Sequence, residues 1–250
     1  MMTSRISDPR PEASELQTEG PTPARVWGDQ WLRVSEKVLK GLNHQLTNRV
    51  ASLEAIAALF DDDQELPDPQ LVQSLAQEVK RLNQLLMLFR LMPAEPFVTT
   101  EPVRVQDVIP QVMELHGHHS DLRGIPIDIS AAGDIPPVLV RPSALLRCLL
   151  VLLESAAGNA LRSGCEATLQ LSCGGDAKHV FVRFEAPSPA GQLLFTGDGS
   201  LVHAVQSGLA HAHVTATAEL VPATPCPRLR YEITLPSLAE ARRMEREGLR

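Results

Sequence analysis

The residue best suited to chemistry is His44, in the run His44-Gln45-Leu46-Thr47-Asn48. A free imidazole titrates at about 6.5 and so offers a neutral nucleophilic nitrogen at cytosolic pH, able to take up and release an electrophilic group. Leu42 and Leu46 belong to an apolar helical stripe. His44 stands two residues from each, about 200° away at about 100° per residue, and is expected to point into solvent. Lys40 and Arg49 flank it on accessible positions, where they would meet an acidic surface or form an ordinary solvated face. The other candidates carry less. His116, His118 and His119 (LHGHHS) cluster at a helix end without partner ligands, so charge complementarity with that end is the expected explanation. Cys148, Cys165, Cys173 and Cys226 show no CxxC spacing and read as reduced thiols. His203, His211 and His213 receive no role.

His44 must be carried by a long element. From about Val26 to Phe60 the positions Leu39, Leu42, Leu46, Arg49, Leu53, Ile56 and Phe60 alternate three and four apart, with one charged interruption at Arg49. The Asp61-Asp62-Asp63 run and Pro67-Asp68-Pro69 end that helix, with Asp68 a natural N-cap for the next. A second helix follows, with Val72, Leu75, Val79, Leu82, Leu86 and Phe89 in the same spacing, plus Leu71, Leu85, Leu88 and Met92. Two such stripes exceed what one hairpin buries, so a homodimeric four-helix bundle is expected. Residues 93–102 read as a linker.

Beyond the linker the pattern is mixed α/β. Helices are expected over Val105–Leu115, Ser143–Leu161 and Leu201–Ala212. Strands are expected over Ile125–Ile129, Ala167–Ser172, Val180–Phe184, Thr215–Leu220 and Leu229–Leu235, with a loop over Pro187–Ser200. The fold class is thus α+β: a tail (1–24), a helical hairpin (25–93), a two-layer α/β sandwich (103–237) and a charged end (238–250). Composition removes other classes. A net charge of -7, from 23 basic and 30 acidic residues, leaves no basic face for nucleic acid. Nine aromatic residues (six Phe, two Trp, one Tyr) are too few for base-stacking platforms. The longest apolar run, Leu145 to Leu153, is interrupted by Arg147, and the first residues lack a signal-peptide core, so a cytoplasmic protein without a membrane partner is expected.

The order hairpin then sandwich resembles sensor histidine kinases, over roughly residues 36–236. His44-Gln45-Leu46-Thr47-Asn48 is similar to the family's H-box, whose phosphorylated His precedes an acidic residue and is followed at plus four by Asn or Thr. Gly124-Ile125-Pro126-Ile127, Pro137–Ala156 and Leu229–Pro236 resemble the early strand, the N-box segment and the closing strand of the ATPase domain. The departures are as informative. The two N-box positions that hold magnesium and phosphates in the family fall on Val151 and Ser155, and valine has no oxygen for a cation. The adenine-recognising Asp-x-Gly-x-Gly loop falls on Glu185–Pro189 (EAPSP), without its Asp and glycines. The phosphate loop survives as Gly197-Asp198-Gly199-Ser200, where Asp198 would repel phosphate.

The resemblance therefore implies a phosphotransfer protein whose ATPase domain is degenerate and holds no cofactor. Gln45 stands in the acid's place; it orients by hydrogen bonding but accepts no proton. His44 would exchange phosphate with response-regulator receiver domains, which bring their own magnesium, and Asn48 would orient a water for dephosphorylation. Two alternatives remain: a pseudokinase scaffold that binds receivers or a partner kinase without phosphotransfer, and a divergent active kinase. The short tail of 24 residues leaves no room for an input domain, which fits the relay and the scaffold better than the kinase.

Overall fold

Two long helices open the chain, α1 (Pro23–Asp61) and α2 (Pro69–Leu91), which pack against each other. The computed structural model describes residues 22–61, 69–92, 99–164, 168–188, 195–224 and 226–248. Most of the expected tail, the Asp68 cap, residues 93–98 of the linker, Cys165 and Pro189 lie outside the described residues. Apolar residues three and four apart, with no interior proline, account for both helices. In the single chain the expected stripe of α2 divides, with Leu75, Leu82 and Phe89 half-buried. Glu78, Leu85 and Leu88 are the buried residues, whereas Val72, Val79 and Leu86 are 41–46% exposed. The apolar surface of α2 is wide enough for either face to have been chosen. On the packed side Arg49 Nη1 lies 3.1 Å from Glu78 Oε2 across the hairpin.

The remaining chain forms β1 (Glu101–Val103), α3 (Val105–Gly117), β2 (Ile127–Ala131), β3 (Val138–Val140), α4 (Pro142–Ser163), β4 (Leu169–Gly175), β5 (His179–Pro187), α5 (Phe195–Gly208), β6 (Thr215–Val221), β7 (Arg228–Pro236) and α6 (Leu238–Arg246). Five strands make one sheet in the order β2-β4-β5-β7-β6, parallel at β2–β4 and antiparallel elsewhere. Strand alternation divides its faces. Leu171, Val182, Phe184, Tyr231 and Ile233 point inward beneath α4, and Arg183–Glu232 and Arg230–Glu185 pairs, each at 2.7 Å, ladder the outer face. A second sheet pairs β1 with β3. Pro137 and Pro142 bracket β3 and leave four residues between them, three of which become a strand by pairing with β1.

Helix α4 is the spine of this domain. Pro142 opens it at a position where a missing N–H costs nothing, and Gly164 closes it at φ 65, a left-handed conformation that glycine takes without strain. Its residues from Leu145 to Ala160 are mostly buried. By length and composition alone it is apolar enough to cross a membrane, despite Arg147, and 72% of that apolar window is buried within the protein, as in a core helix. Helix α5 starts at Phe195, six residues earlier than expected, and a 3₁₀ turn follows at Ala210–Ala212.

Candidate functional site

His44 is exposed on α1, two residues beyond Leu42, which is completely buried. The Asn48 amide nitrogen lies 3.5 Å from His44 Nε2, one turn along the helix. An amide NH2 can only donate, so the contact suits the tautomer in which Nε2 is the accepting nitrogen. At the outer limit of hydrogen bonding, the contact orients the ring without tying up the lone pair strongly. Gln45 is half-buried, and Asn48 is exposed. His44, Gln45 and Asn48 are thus adjacent on one helix, as their spacing requires. Arg49 is not a flanking surface cation. It reaches Glu78 across the hairpin, because its heptad position faces α2. Arg81 pairs with the same carboxylate at 2.5 Å, and the two guanidinium groups, Arg81 foremost, hold Glu78 below the usual carboxylate range.

The residues read as relics of a nucleotide site do not converge. Val151 is 1% exposed in the core. The Ser155 hydroxyl is 3.0 Å from the Tyr231 hydroxyl, to which Asn159 also donates at 3.2 Å. A buried valine and a serine engaged with tyrosine do not fit the pair of oxygen ligands that a magnesium-bound nucleotide needs at these positions. Glu185 corrects the expectation of a loop. Its segment remains in β5 as far as Pro187, paired with Arg228–Arg230 of β7, and its carboxylate sits on the outer sheet face, 2.7 Å from Arg230 Nε. Gly197 and Gly199 lie in the opening turns of α5 rather than in a loop.

A cleft of about 460 Å³ does exist, between α1, the turn after α3, α4 and α5. Its charged lining is Arg33, Lys37, Asp121, Glu154 and Arg162, with His119 beside them. Lys37 Nζ is 2.7 Å from Asp121 Oδ2, a contact that raises the Lys37 ammonium and lowers the Asp121 carboxyl from their ordinary ranges. Arg33 approaches Glu154 at 3.8 Å. Among the described residues, no group of three or more His, Cys, Asp or Glu could hold a metal ion.

The histidine cluster is structural. His119 Nδ1 accepts the backbone N–H groups of Asp121 (3.2 Å) and Leu122 (3.1 Å), which places the proton on Nε2, 3.4 Å from Glu154 Oε1. His116 is 4% exposed, and burial, with neighbouring His119 adding to it, pushes its pKa down to about 4. A neutral, buried imidazole contributes no positive charge to the end of α3, so charge complementarity is not its role. Sequence reasoning also missed His211, whose Nε2 accepts the Arg141 N–H at 3.1 Å just before α4, and Tyr231. Tyr231 is the chain's single tyrosine, on a strand and at an inward position; that was the available signal.

No family model matches the chain, and no curated protein matches it. Solved structures that are similar to it include histidine kinases. The histidine kinase AdeS of Acinetobacter baumannii is 16% identical, with 78% of this chain and 98% of that one covered at a TM-score of 0.41. The catalytic domain of the histidine kinase ThkA is 12% identical, covering 55% of this chain and 97% of that one, TM-score 0.45. ThkA in complex with the response regulator protein TrrA is 13% identical, covering 84% and 64%, TM-score 0.43.

Proposed function

We propose that this protein is a cytoplasmic two-component phosphorelay protein that accepts and donates phosphate through His44, exchanging it with receiver domains and not using ATP. The observation that carries the reading is the contrast between an exposed imidazole with Asn48 one turn away and the nucleotide positions, where Val151 is buried and Ser155 is held by Tyr231. The unprotonated ring nitrogen attacks the phosphorus of a receiver's aspartyl phosphate. The N–P bond forms as the P–O bond breaks, and the carboxylate leaves with its electron pair. The reverse step regenerates the imidazole. Gln45 orients the ring or the phosphate, and Asn48 moves off the attacking lone pair at small cost. The receiver's own acidic pocket supplies magnesium.

The protein works as a homodimer. Val72, Val79 and Leu86 recur every seven residues on α2 and are exposed in the single chain, a stripe that a second hairpin would cover. Val79→Glu with Leu86→Glu is expected to convert a dimer into a folded monomer in analytical ultracentrifugation. For the relay, the protein is incubated with a labelled phosphoreceiver and, separately, with labelled ATP and magnesium. Label from the receiver alone, lost in His44→Ala, is the expected result. Label from ATP would refute the reading of the nucleotide positions, and receiver binding without label would leave a scaffold.

A further inference from the structure

Between Trp27 and Leu42, α1 lies against the α/β domain, mainly α5 and α4. Val34, Val38 and Leu42 on this stretch are completely buried. The Trp27 ring packs at Gly208 beside Cys148, and the Arg147 guanidinium stands 5.4 Å from the centre of the Trp31 ring. Lys37 bonds Asp121 at 2.7 Å. The final contact is the closest. The backbone of Gly41 passes so near His118 that a Cβ on residue 41 would overlap the His118 carbonyl oxygen. Positions 27, 31, 34, 38, 41 and 42 form one helical face. His44 follows Gly41 by three residues, about 60° around the helix and about 4.5 Å along it.

We propose that the α/β domain is the positioning body for His44 and that Gly41 is its positioning residue. The domain clamps α1 up to the turn before the imidazole, so that the ring nitrogen stands at a fixed place for a docked partner. This inference rests on the reading of His44 as a phosphate carrier. In-line transfer needs nitrogen and phosphorus aligned at about 3–3.5 Å, and a misplacement of about 1 Å costs on the order of a hundredfold in rate. A helix held on one face meets that demand; a hairpin swinging freely from its domain would not. The domain that in a kinase delivers ATP here serves as a splint.

The chain's two tryptophans, Trp27 and Trp31, both lie in this contact, so their fluorescence reports on it. Gly41→Ala is the test variant, because alanine favours helix more than glycine does while its Cβ cannot fit against His118. Expected are unchanged helical circular dichroism, red-shifted tryptophan emission and transfer from a phosphorylated receiver slowed by at least about tenfold. Receiver affinity and chemical phosphorylation of His44 by phosphoramidate, which needs no docked geometry, should hold at the wild-type level. Val38→Ala, which loosens the same face without a clash, should slow transfer by a smaller factor and decides the matter if Gly41→Ala does not fold. Shifted emission with an unchanged transfer rate overturns the positioning role, and unshifted emission overturns the clamp. No transfer to the wild-type protein overturns the phosphate-carrier reading itself, while the emission shift still reports the contact.

Discussion

In the first half of α1, packed against the α/β domain, Val34, Val38 and Leu42 are shut off from solvent, whereas beyond His44 the same helix leaves Val50 and Leu59 exposed. One continuous helix thus has an anchored half and a presenting half, and His44 stands just past the boundary. The difference teaches where stability and accessibility are divided. Side chains before the boundary complete the core of another domain. Those after it offer one flank to α2 and the rest to solvent or to a second chain.

Matched truncations should break the comparison if it is wrong. Leu42→Ala is expected to lower unfolding free energy by about 2–5 kcal/mol in urea denaturation, since a buried leucine leaves a cavity. Leu59→Ala, on the presenting half, is expected to change it by no more than about 0.5 kcal/mol. Equal effects would mean that the halves are not differently anchored.

A smaller effect sharpens the anchored side through pH. His116 sits at the end of α3, the helix whose exit turn receives Gly41, and its pKa is depressed to about 4. Below about 6.5 the unfolded chain takes up a proton that the folded one refuses, so stability present at pH 7 falls as pH drops toward 4. The loss amounts to roughly 3 kcal/mol, at about 1.4 kcal/mol for each unit of depression. His119 and Glu154 face the same cluster, so His116→Leu should flatten the fall in melting temperature between pH 7 and pH 4.5 rather than abolish it. Smaller again is Tyr231→Phe. Removing the hydroxyl that meets Ser155 and Asn159 should cost about 1–2 kcal/mol without altering transfer to His44. A large loss of transfer would place Tyr231 in the functional site.

Much of this was legible in the sequence, for identifiable reasons. Helices α1, α2 and α4 announce themselves by their apolar residues over long stretches, and β5 and β7 by alternation. The outward direction of His44 follows from helical geometry alone. What stayed hidden depended on partners distant in sequence. The expected stripe of α1 began at Leu39, although Trp27, Trp31, Val34 and Val38 continue the same three-and-four spacing toward the N-terminus. Only the fold shows that this stretch serves the α/β domain. Nothing in the sequence marks Gly41, whose meaning comes from the His118 carbonyl beside it in the fold. Val138–Val140 is too short to signal a strand without β1, and Glu185 seemed to stand in a loop because its ladder with Arg228–Arg230 lies more than 40 residues on.

The central claim is that phosphate moves between a receiver and His44. Phosphorus NMR of the protein after incubation with a phosphorylated receiver and magnesium tests it most directly. The account predicts an acid-labile phosphoramidate resonance that is absent from His44→Ala and from samples given ATP alone. A resonance that survives His44→Ala, or one that appears only with ATP, would contradict it.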